Sequence, residues 1–213
     1  MKNVTPLLIG LLAASTLAFS PMSQAQMSAD SWYAGIGVGQ GKGKDVCSGV
    51  AQAQPGVTVS SCDDKSNGYR AFAGFTLTKN FFAEFGYADF GKADASGTVN
   101  VPPVVPFTAT WKATVWDVSA LGVLPVADKF SVFGRLGIAM WNVDLDVNAS
   151  GFPVSESSSG ADPVYGLGVQ YDFTDKFGLR GEWMRYSNVG DSDTTGQTDV
   201  DVMGVSLLYR FYE

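Results

Sequence analysis

The chain has 21 acidic residues but lacks the imidazole side chain that most often serves as a general base. It contains no histidine, which excludes Ser-His-Asp and Cys-His catalysis. The acidic stretch at 190–201 and the pair Asp144 and Asp146 are the candidates for calcium ligands, but neither has the ordered ligand spacing of a dedicated site. We interpret them as solvated loop charges, and we expect no enzymatic activity, no metal site and no cofactor.

A run of alternate glycines at positions 35, 37, 39, 41 and 43 has the composition of a phosphate-binding loop. Its period of two is that of one face of a β-strand, however, and no helix follows to supply an N-terminus for a phosphate. We therefore expect these glycines to be the small residues of one strand face and of a flexible segment after it.

Residues 1–25 are predicted to be a secretory signal peptide. Lys2 precedes an uncharged apolar run from Leu7 to Phe19, and the small-residue pattern Ser23-Gln24-Ala25 follows. The alternative is a membrane anchor, but the run is shorter than the roughly 20 residues that a spanning helix needs. Cleavage after Ala25 leaves residues 26–213 as a single domain, since the length leaves no room for a second one of ordinary size.

The two cysteines, Cys47 and Cys62, lie in one polar, glycine-rich segment. Export places them in an oxidising compartment, so we expect a disulfide bond between them. Closing a loop of this length is worth roughly 3 kcal/mol in the chain-entropy model. Zinc binding is the weaker alternative, because two thiols without a histidine make a poor site.

The balance of charge argues against a nucleic-acid partner. The formal charge is −7, it becomes more negative when Lys2 leaves with the signal, and the basic residues are scattered rather than clustered. A nucleic-acid-binding protein needs a basic patch or stripe to neutralise phosphates.

Beyond Asp30 the apolar residues alternate with small or polar ones, which is typical of strands with two different faces. The alternation predicts eight strands, centred on residues 31–40, 68–77, 81–88, 116–123, 131–140, 165–171, 177–184 and 203–211. One face is aliphatic, with aromatic residues near the strand ends, whereas the other carries glycines and isolated charges. A soluble barrel would turn its bulky apolar face inward. The pattern therefore predicts an all-β fold, an eight-stranded antiparallel up-and-down transmembrane β-barrel with lipid on the apolar side.

The predicted connections alternate in length. Short ones lie near 78–80, 125–129 and 174–175, and long ones lie near 41–66, 90–107, 142–162 and 188–198. Outer-membrane barrels have short periplasmic turns and long external loops. We therefore expect the four long loops outside the cell and both chain ends in the periplasm.

Several runs resemble the OmpA-type transmembrane domain: FFAEFGYADFG (81–91), LPVADKFSVFGRLGIAMW (124–141), YGLGVQYDFTDKFGLRGEW (165–183) and GVSLLYRF (204–211). The resemblance extends over essentially the whole chain after the signal. It implies an outer-membrane protein inserted by the barrel-insertion machinery, with Phe211 as the terminal aromatic signal. Many OmpA proteins add a peptidoglycan-binding domain after the barrel, and we expect this chain to be the barrel only.

The resemblance also implies a network of charged side chains that plugs the lumen. Candidates at matching positions are Glu84, Arg135, Arg180 and Glu182, with Gln170 where the family can carry an acid. Leu121 lies where the best-studied members of the family have an inward lysine. We expect Asp117 and Arg70 to compensate for the absence of this lysine from the network. An arginine or lysine facing lipid near the membrane centre costs roughly 2 to 4 kcal/mol, so these charges must face inward. We expect Glu84 to pair with Arg135 or Arg180.

The predicted second loop contains VNVPPVVPF, in which prolines enforce an extended backbone beside exposed valines. Its residues Pro102, Pro103, Val104, Val105 and Pro106 are our candidate contact surface, although a loop folded over the barrel mouth is equally consistent with the sequence.

Three functions follow as hypotheses. The preferred one is a structural and surface-interaction barrel, monomeric, held by outer-membrane lipid and able to contact an extracellular ligand or surface through its loops. The alternatives are a small pore or transporter for ions or small solutes, and a soluble ligand-binding barrel of lipocalin type.

Overall fold

The computed structural model describes residues 31–44, 47, 56–100 and 103–211, so the predicted signal peptide lies outside the described residues. The described residues form nine antiparallel strands and one sheet. The strands are β1 (Trp32–Gly43), β2 (Val57–Cys62), β3 (Lys65–Thr76), β4 (Phe81–Val99), β5 (Val105–Ala127), β6 (Phe130–Ala149), β7 (Phe152–Asp172), β8 (Phe177–Asp191) and β9 (Gly196–Phe211). Among these residues no helix is long and apolar enough to cross a membrane.

Eight of the strands close into a ring. Each strand pairs with its neighbour along the chain, β1 pairs with β9, and the pairing of β4 with β5 completes the circuit. The short strand β2 stands outside the ring and pairs with the end of β4. The predicted eight-stranded antiparallel barrel is thus confirmed, with β2 as an addition inside the first predicted loop.

The ring is strongly staggered. Following paired residues once around it from Lys65 on β3 leads back to β3 ten residues farther along, at Phe75. A stagger of this size goes with strands tilted by roughly 35–45° to the barrel axis, and eight strands leave an interior that side chains can fill.

The inward and outward faces of the barrel are the two strand faces that the alternation of residues predicts. On β6, Leu136 and Ile138 point outward and are more than 60% exposed, whereas Arg135, which precedes Leu136, points inward and is buried. Outward aromatic residues gather at two levels, one near the turns and chain ends (Trp32, Phe75, Phe81, Phe177 and Phe211) and one higher up (Tyr69, Tyr87, Trp116, Tyr165 and Trp183). Such girdles are typical of the two membrane interfaces.

The prediction of four long loops was wrong in part, because most of these residues are strand. The connections 90–107 and 142–162 contract to residues 100–104 and to the turn Ser150-Gly151. We call the end of the barrel with these hairpins the upper end. The strands continue there because polar residues alternate with apolar or small ones, as in residues 92–99 and 142–149. Cross-strand pairing also satisfies backbone groups that a free loop would leave to water.

Polarity inverts along the same strands at the upper end. The outward residues of β5 change from Val118 and Trp116 to Thr114 and Lys112, while its inward residues change from Asp117 to Val115 and Trp111. The outward residues of β6 likewise become Asn142, Asp144, Asp146 and Asn148, and its inward residues become Val143, Leu145 and Val147. The lower part is therefore apolar outside and the upper part is apolar inside.

The upper end is taller on one side. We call the upper parts of β2, β4, β5, β6 and β7 the wall; it rises above β8 and β9, which turn at residues 192–195. The pairing of β7 with β8 ends at Val164 with Tyr186. The next residue of β7 is Pro163, which has no N–H to continue the ladder. From Phe152 to Pro163, β7 pairs only with β6 among the described residues.

Candidate functional site in the barrel interior

A layer of charged side chains crosses the barrel below the inversion of polarity. It is assembled from residues on five strands, because alternate residues of β3, β4, β5, β6 and β8 point into the same interior. The layer contains three arginines and three carboxylates: Arg70, Glu84, Asp117, Arg135, Arg180 and Glu182. The layer is therefore balanced in charge, as groups removed from water must be.

Glu84 is the centre of the layer. Its Oε1 accepts hydrogen bonds from Arg70 Nη1 at 3.1 Å and from Arg135 Nη2, and its Oε2 accepts from Arg180 Nη1 at 2.7 Å. The hydroxyl of Tyr33 on β1 donates to the same Oε2 at 3.0 Å. Glu84 thus contacts both of the arginines named as its expected partners, and two further donors.

The other two carboxylates complete the ion pairs. Asp117 accepts from Arg70 Nη2 through both oxygens, at 2.9 and 3.0 Å, and from Arg135 Nη1 at 3.3 Å. Ser119 Oγ donates to Asp117 at 3.0 Å. Arg135 Nε donates to Glu182 at 2.6 Å. Arg135 therefore contacts all three carboxylates, and its side chain is fully buried.

A second polar chain leads from the layer toward the lower end. Arg180 Nη2 donates to Gln170 at 3.2 Å, and Gln170 Nε2 donates to Asp172 at 3.1 Å. Asp172 also accepts from Arg210 Nη2 at 2.6 Å. The amide of Gln170 thus connects the neutral layer to a separate ion pair near the turns of the lower end without adding a charge.

Apolar side chains close the barrel on both sides of the layer. Below it lie six buried residues, Tyr33, Phe72, Phe82, Leu121, Phe133 and Leu208. Above it lies a larger buried cluster that includes Val115, Trp141, Val143, Val164, Tyr186, Val189 and Val200. The guanidinium of Arg180 lies over the rings of Phe72 and Phe133 at 4.9 and 4.8 Å from their centres, a cation–π arrangement.

The charged layer borders a small cavity in the interior. A cavity of about 30 Å³ lies beside Arg70, Glu182 and Ser206, under Tyr186, and it has room for about two water molecules. The Nε atoms of Arg70 and Arg180 are buried without a hydrogen-bond partner among the described residues. The arrangement keeps the paired charges out of contact with lipid. The cavity is too small to admit a hydrated solute.

All seven residues expected in the lumen network lie in the interior: Arg70, Glu84, Asp117, Arg135, Gln170, Arg180 and Glu182. Sequence reasoning missed Tyr33, which lies on the same face of β1 as the alternate glycines. It also missed the upper apolar cluster, because most of those residues lie beyond the ends of the predicted strands, and Phe90, Val143 and Val189 fall in predicted loops. Leu121 is fully buried in the lower apolar cluster, where a lysine would be surrounded by aromatic rings.

The features expected at the upper end fall into two groups. Cys47 and Cys62 form a disulfide bond that ties the first connection to the end of β2. Pro102 lies outside the described residues, and Pro103 and Val104 are exposed. Val105 and Pro106 are the first two residues of β5, where this strand pairs with β4. The predicted contact loop is therefore shorter than expected. Within the described residues no three potential metal ligands cluster.

Comparison with known proteins agrees with this geometry. The sequence model of the family described as OmpA-like transmembrane domain matches residues 27–213. Outer membrane protein A of Serratia marcescens is 27% identical over 203 residues, which are 94% of this chain and 55% of that protein. The chain thus spans about half the length of the curated relatives that it matches.

Solved structures show the same fold at lower identity. Ail, the attachment invasion locus protein of Yersinia pestis, crystallised with the heparin analogue sucrose octasulfate, is 16% identical with a TM-score of 0.52, over 85% of this chain and 99% of that one. Neisserial surface protein A is 12% identical with a TM-score of 0.53, over 84% and 97%. The match of the family model, together with the closed ring of eight strands and its lipid-facing surface, shows that the chain belongs to the OmpA-like transmembrane domain family and is a β-barrel protein of the outer membrane.

Proposed function

We propose that this protein is a structural barrel that presents its upper hairpins at the cell surface, and that the charged layer is a plug rather than a path for solutes. The observation that carries the proposal is the arrangement of the interior: a charge-balanced layer, packed between two apolar clusters, beside a cavity of about 30 Å³. Moving an ion through it requires three arginines to release Glu84 together.

The upper end supports a role in contact with other molecules. Its outward residues are polar and its hairpins stand clear of the membrane, so they are accessible to extracellular ligands or surfaces. The Ail crystals contain a heparin analogue. This chain differs in its electrostatics, because residues 136–175 contain six acidic residues and no lysine or arginine, so we expect a partner other than a polyanion.

Export by a cleaved signal at residues 1–25, insertion by the barrel-insertion machinery, a monomeric state and the absence of enzymatic activity belong to the same proposal. They follow from the predicted signal and from family membership. None of these properties depends on a catalytic side chain or a bound cofactor.

The plug is tested by conductance in planar lipid bilayers. We expect no current above the lipid baseline from the purified barrel, nor from its Glu84→Gln and Arg135→Gln variants, because the apolar clusters on both sides of the layer remain. Stepwise conductance of the unaltered protein, changed in either variant, would assign the pore as the function instead.

Surface presentation is tested with an epitope inserted at the Ser150-Gly151 turn. Antibody should bind intact cells carrying this insertion. The matched control is the same epitope at the Thr174-Asp175 turn at the opposite end, which should become accessible only after the outer membrane is permeabilised. The reverse pattern would overturn the orientation and, with it, the proposed function.

A further inference from the structure

The free edge of β7 carries an inference that rests on the proposed function and deepens it. Between Phe152 and Pro163 this strand pairs with β6 on one side, and the described residues supply no strand on the other. An unpaired edge presents a row of N–H and C=O groups that can pair with another chain. Most natural edges are short or covered, whereas this one is long and stands above the membrane.

Two prolines show which backbone groups face outward from the sheet. In an antiparallel sheet, successive residues direct their N–H and C=O groups to opposite sides. Pro153 and Pro163 are an even number of positions apart, and proline occurs in a strand where no ladder donor is required. Both therefore face the free edge, and Ser155, Ser157 and Ser159 direct their N–H groups to the same side.

The side chains around the edge specify the chemistry of an added strand. Phe152 and Val154 point to the inner face of the wall and are 78% and 56% exposed, so alternate apolar side chains of an added strand would cover them. The surrounding charges are acidic: Asp144 and Asp146 on β6, and Glu156 and Asp162 on β7. Lys112 on β5 lies 4.0 Å from Asp146, and no lysine or arginine occurs between residues 136 and 175.

We infer that the upper edge of β7 binds an extended, basic segment of a partner protein by β-strand addition. Main-chain hydrogen bonds to the edge supply the affinity in this mode of recognition, and alternate side chains supply the specificity. Apolar residues of the segment pack beside Phe152 and Val154 on the inner face of the wall. Its basic residues alternate with them and point to the outer face, where Asp144 and Asp146 of β6 also point.

The test uses the purified barrel in detergent and a fluorescent peptide of about ten residues that alternates valine and lysine, a length that matches the edge. Binding is followed by fluorescence anisotropy. Ser157→Pro removes one edge N–H without touching the ladder to β6, and we expect it to weaken binding by about tenfold. Ser157→Ala keeps the N–H and is the matched control, with affinity equal to that of the unaltered barrel.

Two further peptides keep the inference testable if the proline variant folds poorly. The same peptide methylated at alternate backbone nitrogens retains its charge but cannot pair, and it should not bind. A valine–glutamate peptide can pair but has the wrong charge, and it should bind weakly. Equal binding of the methylated peptide would overturn strand addition, and equal binding of the acidic peptide would overturn the basic partner.

A second copy of the chain is the competing occupant of the edge. Sedimentation of the barrel without peptide should show a monomer, and a dimer that Ser157→Pro dissociates would overturn the inference. These measurements are independent of the proposed function, which fails on cells or in bilayers if the Ser150-Gly151 epitope is inaccessible or if the barrel conducts.

Discussion

Glu84 accepts hydrogen bonds from three guanidinium groups and one phenol, although a carboxylate needs only one cation to be neutralised. The two remaining positive charges are balanced by Asp117 and Glu182, which pair with the same arginines. The six groups are thus interdependent, because removing one carboxylate leaves a positive charge in a layer that water reaches poorly. Such a layer stabilises the fold when all six groups are present, and its contribution cannot be assigned to any single ion pair.

Glu84→Gln should therefore lower the free energy of unfolding by about 3 kcal/mol, the lower end of the usual cost of breaking a buried ion pair. The measurement is urea unfolding in lipid vesicles, followed by tryptophan fluorescence. Glu156→Gln, on the exposed part of β7, is the matched control and should change the free energy by less than about 0.5 kcal/mol. Equal effects of the two substitutions would show that the layer does not stabilise the fold.

Several glycines make room for rings on the neighbouring strand. A Cβ at Gly168 on β7 would overlap the ring of Phe133 on β6, whereas a Cβ at the outward Gly134 would make ordinary contact with Leu167. Gly168→Ala should therefore lower the free energy of unfolding by about 1 to 3 kcal/mol through overpacking. Gly134→Ala is the control on the adjacent strand, and a cost as large as that of Gly168→Ala would contradict this account.

The disulfide bond acts on β2 and not on the ring. β2 pairs only with β4 among the described strands, and Cys62 is its last residue. In the Cys47→Ser, Cys62→Ser double variant, we expect faster amide exchange at Val57–Cys62 by mass spectrometry. The β5–β6 pairing should keep its protection as an internal control. Loss of protection in β5 and β6 as well would mean that the bond supports the barrel.

The strands that cross the membrane could be predicted from the sequence, because lipid imposes one polarity on every outward residue. Their upper parts could not, since water on the outside and packing on the inside reverse the polarity, and Pro, Ser and Gly in 150–163 weaken the pattern of a strand. The interior position of Arg135 followed from the cost of charge in lipid. Its contact with Glu84, 51 residues away in sequence, depends on the stagger of the ring, which no single strand encodes.

Closure of the ring and the outward apolar surface determine how the whole protein should behave during extraction and on a gel. The barrel should be extracted from the outer membrane only with detergent, and the unboiled protein should migrate differently from the boiled protein on a gel, because the closed ring resists unfolding in the detergent. Release into the soluble periplasm without detergent would favour the lipocalin-type alternative and contradict the membrane barrel.

The inversion of polarity along β5 and β6 also fixes how deeply the molecule sits in the membrane. If the barrel sank by two outward residue pairs, Lys112 and Asp144 would reach the level now held by Trp116 and Met140, and if it rose by one, Trp116 and Met140 would leave the interface for water. Both displacements are opposed over several strands at once, so the vertical position is held by a restoring force from two directions. A hairpin tip that is pulled from outside the cell would transmit that pull to the lipid around the barrel rather than slide through it.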